Sequence, residues 1–119
     1  MARRLTPLPD AEIAAVLERL DAGGAERADL AAATRHFLGV LETRVPGHSV
    51  EVRVPPFAAV QVIPGASHTR GTPPAVVETD AATWIALARG TLTWQAARAD
   101  RRVRASGERS DLTPHLPLT

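Results

Sequence analysis

The sequence predicts an α+β domain with a largely antiparallel sheet, and three observations carry that prediction. Apolar residues recur at helical spacing as far as Arg44. Beyond Pro46-Gly47 the pattern changes to strict alternation, the mark of a half-buried strand. Helical spacing then returns after Thr79, so helices are grouped before and after adjacent strands.

The first element is a helix over Asp10–Leu20. Ile13, Val16, Leu17 and Leu20 share one face, Pro9 precedes it, and Gly23-Gly24 ends it. A second helix runs from Arg27 to Arg44. Leu30, Thr34, Phe37, Leu38, Leu41 and Val45 form its apolar stripe, with His36 and Glu42 turned away, and Pro46-Gly47 stops it. Ser49–Val54 alternates, with Val50, Val52 and Val54 on one side and Ser49, Glu51 and Arg53 on the other. Pro55-Pro56 breaks that strand, and Phe57–Ile63 forms the next, close enough to pair with it and apolar on both faces, as expected of a strand interior to the sheet or covered twice. The irregular loop GASHTRGTPP leads to a short strand over Ala75–Glu78.

Thr79 or Asp80 caps a third helix, Ala81–Arg89, which buries Trp84, Ile85 and Ala88; Gly90 ends it in the left-handed conformation. A short helix begins at Thr93 or Trp94 and runs to Ala99, and Arg102–Ser106 alternates again. Ser110 or Asp111 caps a last helical turn containing Leu112 and Leu116, limited by Pro117. No repeat or domain boundary interrupts the chain. Residues 1–119 therefore read as one domain, with a helical part over 1–46 and strands and further helices over 47–119.

Composition narrows the function. The net charge is +1, all fourteen basic residues are arginine, and alanine is abundant. Arginine stays charged well above neutrality, so the basic pI reflects a small excess rather than a strong positive field. Aromatic residues make up 3% of the chain, too few for the stacking platform of a nucleic-acid binder. The four arginines Arg98, Arg101, Arg102 and Arg104 read as a solvated face. There is no cysteine, which removes disulfide and thiolate chemistry and suits a reducing, cytoplasmic setting. The N-terminal residues lack the apolar stretch of a secretory signal, and no apolar run is long enough to span a bilayer.

Catalytic chemistry is not evident. No GxSxG elbow is present, and Ser67-His68-Thr69 are merely neighbours in a loop. His36, His48, His68 and His115 lie far apart without metal-ligand spacing. No cofactor motif occurs, and the proline-rich loop lacks the N–H groups of a phosphate cradle. Arg70 stands out in that loop. It can order the loop through Glu78 or Asp80, or it can contact an anionic ligand. Trp84 and Trp94 are the largest apolar side chains, placed either in the core or on the wall of an apolar cavity.

The segment from Asp80 to Leu118 resembles the C-terminal half of sterol carrier protein domains. It reads TDAATWIALARG, TLTWQAARADR, RVRASG and ERSDLTPHLPL, with matching positions at Trp84, Leu87, Gly90, Ala97, Val103, Gly107, Leu112 and Leu116. Asp100 or Arg101 stands where that family often has glycine before the last strand. The block VEVRVPPFAAVQ…HTRGTPPAVVETDAATW is similar to an actinobacterial-type branch of the family. The resemblance implies a curved sheet covered by helices, with an apolar tunnel between the layers. It implies a sterol, fatty acid, acyl-CoA or other lipid as ligand, bound without catalysis, metal or cofactor. The apolar wall would be drawn from Trp84, Leu87, Trp94, Val103, Leu112, Leu116 and Leu118, with the C-terminal leucines also acting as a lid. Related domains accompany the metal-binding helical domain of mycothiol-dependent isomerases, but the histidine set of such a domain is missing here. The rival expectation is an interaction or accessory domain that keeps the fold with a closed, ligand-free core.

Overall fold

The structure is a computed structural model that describes residues 4–24, 26–65, 75–107 and 110–119. Its elements are α1 (Asp10–Asp21), α2 (Arg27–Arg44), β1 (Pro46–Val54), β2 (Ala58–Val62), β3 (Ala75–Thr79), α3 (Ala81–Arg89), α4 (Trp94–Ala99) and β4 (Val103–Ser106). A single 3-10 turn follows at Thr113–His115, in place of the expected α-helical turn. The fold is α+β, with the helices packed against one face of an open four-stranded sheet in the order β2-β1-β3-β4, so that β2, expected in the interior from its apolar residues, is an edge strand.

The alternation read from the sequence sets the faces. Val50, Val52, Val54, Val60, Val62, Val77 and Val103 point inward and are buried. Arg53, Gln61, Arg104 and Ser106 point outward and are exposed. The pairings of β1 with β2 and of β3 with β4 are antiparallel, whereas β1 and β3 run parallel. That parallel pair makes the sheet mixed. It forms because β2, antiparallel to β1, returns the chain to the end of the sheet at which β1 began, and β3 starts there.

Pro46 and Gly47 do not lie between elements as a pure stop signal. Val45 leaves the helical conformation, and both residues are already the start of β1. β1 is irregular there, since Pro46 and Val50 both align with Val62. The intervening bulge folds around Ile63, whose φ of 69° is left-handed and strained for a β-branched residue. Its N–H donates to the Val45 carbonyl at 2.7 Å, and its carbonyl accepts from the Ser49 N–H at 3.1 Å.

α2 is buried on more than one face. Thr34, Phe37, Leu38 and Leu41 meet the sheet and α3 as expected. His36 and Glu42, expected to face away into solvent, are instead covered by the extended residues 4–9. The Leu8 N–H donates to His36 Nδ1 at 2.9 Å, and the Leu5 N–H donates to Glu42 Oε1 at 2.9 Å. Gly39 lets this strap lie flat, since a Cβ there would stand 2.9 Å from the Leu5 carbonyl oxygen. Two ion pairs tie α1 into place, Arg19 with Asp29 of α2 at 2.9 Å and Arg89 of α3 with Asp21 at 2.8 Å.

His36 makes the strap pH-sensitive. Accepting at Nδ1 requires that nitrogen to be unprotonated, and burial pushes the His36 pKa below the usual histidine value, against a smaller upward pull from Asp10. The unfolded chain therefore takes up this proton first as the pH falls from its ordinary value of about 6.5. The stability conferred is complete above that value and is lost below it, by roughly the 1 kcal/mol of one hydrogen bond. Urea midpoints measured from neutral pH down to about 5 should fall, and His36→Gln should flatten the slope over that window. Asp21, Asp29 and Asp111, all held below the usual carboxylate range by hydrogen bonds, act in a separate window below about pH 4.

The turn before β4 shows what replaces the expected glycine. The Arg102 N–H donates to the Ala97 carbonyl at 2.9 Å and the Arg101 N–H to the Arg98 carbonyl at 3.1 Å, the two bonds of a Schellman ending. Arg101 occupies the left-handed position, with φ of 57°. Arg101→Gly is expected to raise stability by up to about 1 kcal/mol, because glycine takes this conformation without steric cost. Thermal melts of the two proteins check this.

Candidate functional site

The site grows out of the join between α3, α4 and the C-terminal residues. Asp80 caps α3 by accepting the Thr83 N–H at 2.8 Å, and Gly90 closes it at φ 81°. The chain then turns through Leu92 to Thr93, whose hydroxyl oxygen accepts the Ala96 N–H at 3.1 Å and starts α4. The C-terminal segment returns beneath both helices. Asp111 Oδ1 accepts from the Thr113 N–H at 2.9 Å and from its hydroxyl at 2.6 Å. The Leu118 N–H donates to the Ala88 carbonyl at 2.7 Å. Leu112 and Leu118 are buried and anchor the segment at both ends.

Between these anchors lies a cleft of about 240 Å3. Leu87, Leu92, Trp94, Leu116 and Pro117 supply its apolar surface, with Gly90 at its edge. Thr93, Gln95 and Thr113 supply the polar groups. Among the described residues, no charged side chain lines it. Two wider depressions of about 370 and 290 Å3 lie on the outer face of the sheet. They include Arg53, Glu78 and Arg104 and are more open, so they suit an apolar molecule less well.

Of the residues expected on an apolar wall, Leu87, Trp94 and Leu116 meet in this cleft. Trp84, Val103, Leu112 and Leu118 sit in the core instead. The expected tunnel between sheet and helices is not formed around Trp84, Leu38, Leu41, Val50, Val52, Val54 and Val62, each with 0% exposure. A void wide enough for water would leave surface on its walls, so close packing fills the space that these side chains border. Leu92, Thr93, Gln95, Thr113 and Pro117 are not expected from the sequence to line a site, because residues in turns and short terminal segments give no periodic signal. Arg70 lies outside the described residues. Of its suggested partners, Asp80 is committed to capping α3.

Comparison with known families gives a match to the family described as bacterial SCP ortholog, over residues 26–118. The chain belongs to this family. The match begins at the start of α2, so the strap and α1 precede the matched region. It takes in the whole sheet, α3, α4 and all the residues lining the cleft. No curated protein matches the chain. Membership in the SCP family fits a carrier of the lipid or sterol type. Among the described residues, no helix is long and apolar enough to cross a membrane.

Proposed function

We propose that this SCP-family chain binds and carries an apolar, lipid-type molecule without transforming it, holding it in the C-terminal cleft. The observation that carries this reading is the convergence of Leu87, Trp94 and Leu116, from three separate parts of the chain, on one uncharged concavity within the matched region. Trp84, Val103, Leu112 and Leu118 belong to the buried core rather than to the cleft lining. Removing apolar surface from water contributes about 25 cal/mol per Å2, so a ligand of this kind needs no catalytic group or cofactor to be retained. The reading includes a reducing, cytoplasmic setting, which a cysteine-free chain suits.

The filled interlayer core supports a second reading, an interaction or accessory domain that keeps the fold without carrying a ligand. Native mass spectrometry of the protein taken from its own cells separates the two. The carrier reading expects an added mass that denaturation releases as an identifiable lipid. It also expects Leu116→Ser, at a partly buried cleft position, to lose that mass while the protein remains folded. A bare polypeptide mass, together with no displacement of a fluorescent fatty acid by any lipid, would leave the accessory reading standing.

A further inference from the structure

The cleft's size and its hydrogen-bonding groups narrow the class of ligand, on the reading that the cleft is the binding site. Its 240 Å3 falls below the roughly 300–1,000 Å3 of pockets that enclose drug-sized molecules. It is smaller than the pockets that enclose molecules of sterol size.

The two threonines at the cleft are committed in complementary ways. Thr93 uses its oxygen to accept the Ala96 N–H, which leaves its O–H free to donate. Thr113 donates its O–H to Asp111, which leaves its oxygen free to accept. A ligand hydroxyl both donates and accepts and so can satisfy the pair, whereas a carboxylate only accepts. Charge points the same way. The Asp111 carboxylate stands directly behind Thr113 and repels an anion. Among the described residues, the positive charge that acts on Asp111 is Arg98, and it does not line the cleft.

We propose that the cleft selects a neutral medium-chain or single-ring alcohol over the corresponding carboxylate and over an intact sterol. The bound molecule places its hydroxyl between Thr93 and Thr113 and its hydrocarbon against Leu87, Trp94 and Leu116.

The test is titration of the full chain with 1-octanol, octanoate and cyclodextrin-delivered cholesterol at neutral pH. The readouts are the NMR signals of the Trp94 indole N–H and the Thr113 amide. Octanol is expected to bind at least about tenfold more tightly than octanoate. Thr113→Val should weaken octanol by about three- to tenfold, the worth of one hydrogen bond, and leave octanoate unchanged. Asp111→Asn, which removes the charge and keeps a side-chain acceptor, should narrow the gap between octanol and octanoate. Octanoate binding as tightly as octanol overturns the choice of head group, and cholesterol shifting the same signals as strongly overturns the size limit. In either case the carrier reading stands. If none of the three probes moves these signals, the cleft is not the binding site and both readings fall.

Discussion

Trp84→Ala is expected to cost about 3–5 kcal/mol, the range for removing a large aromatic side chain from a packed core. Trp84 has 0% exposure and lies where α2 meets α3 over the sheet. Its indole N–H donates to the Thr34 carbonyl at 3.3 Å, so the substitution removes both a filled volume and a polar link between two helices. Domains of this size are stable by only about 5–15 kcal/mol, so the variant should be partly unfolded at room temperature or melt far earlier. Urea unfolding followed by circular dichroism gives the number. Thr34→Val serves as the control at the same contact. The Thr34 hydroxyl is buried without a partner, so its removal should be neutral or stabilising while the carbonyl bond persists. A Trp84→Ala loss below about 1 kcal/mol would mean that the site collapses freely and that the core is looser than its exposures indicate.

Gly47→Ala is expected to destabilise by more than about 4 kcal/mol or to prevent folding, a range reached only where backbone or core must be displaced. A Cβ at Gly47 would run into the Ile63 carbonyl and the Pro64 nitrogen. These are backbone atoms and cannot rotate out of the way. Ile63 is already strained, and its carbonyl is fixed by the Ser49 N–H and the Ser49 hydroxyl at 2.7 Å. Alanine at this point must therefore part the start of β1 from the end of β2. Gly23→Ala is the comparison. Gly23 has nothing within 4 Å but has φ 94°, so only the left-handed conformation is penalised, at about 1–2 kcal/mol. Soluble yield and thermal melts of the two variants should differ sharply. Equal melting points would show that the corner yields.

Much of this fold is readable in the chain because its signals are local. α2 and α3 begin and end at the expected residues, and Asp80, Thr93 and Gly90 take the capping roles that their chemistry suggests. The alternation of Val50, Val52 and Val54 assigns the inner face of β1 correctly. The misses concern what crosses from one element to another. The parallel pairing of β1 with β3 leaves no mark on either strand's own sequence. The strap over His36 and Glu42 is a short extended segment with prolines and no periodicity, so α2 looked open on a face that is covered. A hint was present in the small residues Ala31, Ala32, Ala33 and Gly39, which permit close approach around much of the helix. The cleft was half legible. Leu87, Trp94 and Leu116 carry the large apolar surface that draws attention, whereas the threonines become informative only once their hydrogen bonds are known.

The strand order has a bearing on how copies of this protein meet at high concentration. An open sheet presents two unpaired borders, and exposed borders are templates for chain-to-chain polymerisation. Here the borders are β2 and β4, of five and four residues. β2 is bracketed by Pro55-Pro56 on one side and Pro64 on the other, so an added strand finds no backbone donor at those prolines beyond its five residues. β4 carries Arg104 and follows Arg101 and Arg102, so two such borders brought together would oppose like charges. The long strand β1, whose valines would make the most adhesive template, is enclosed between two neighbours. The chain thus keeps its longest strand in the middle of the sheet and leaves at the rims strands that are short and bounded by proline or arginine.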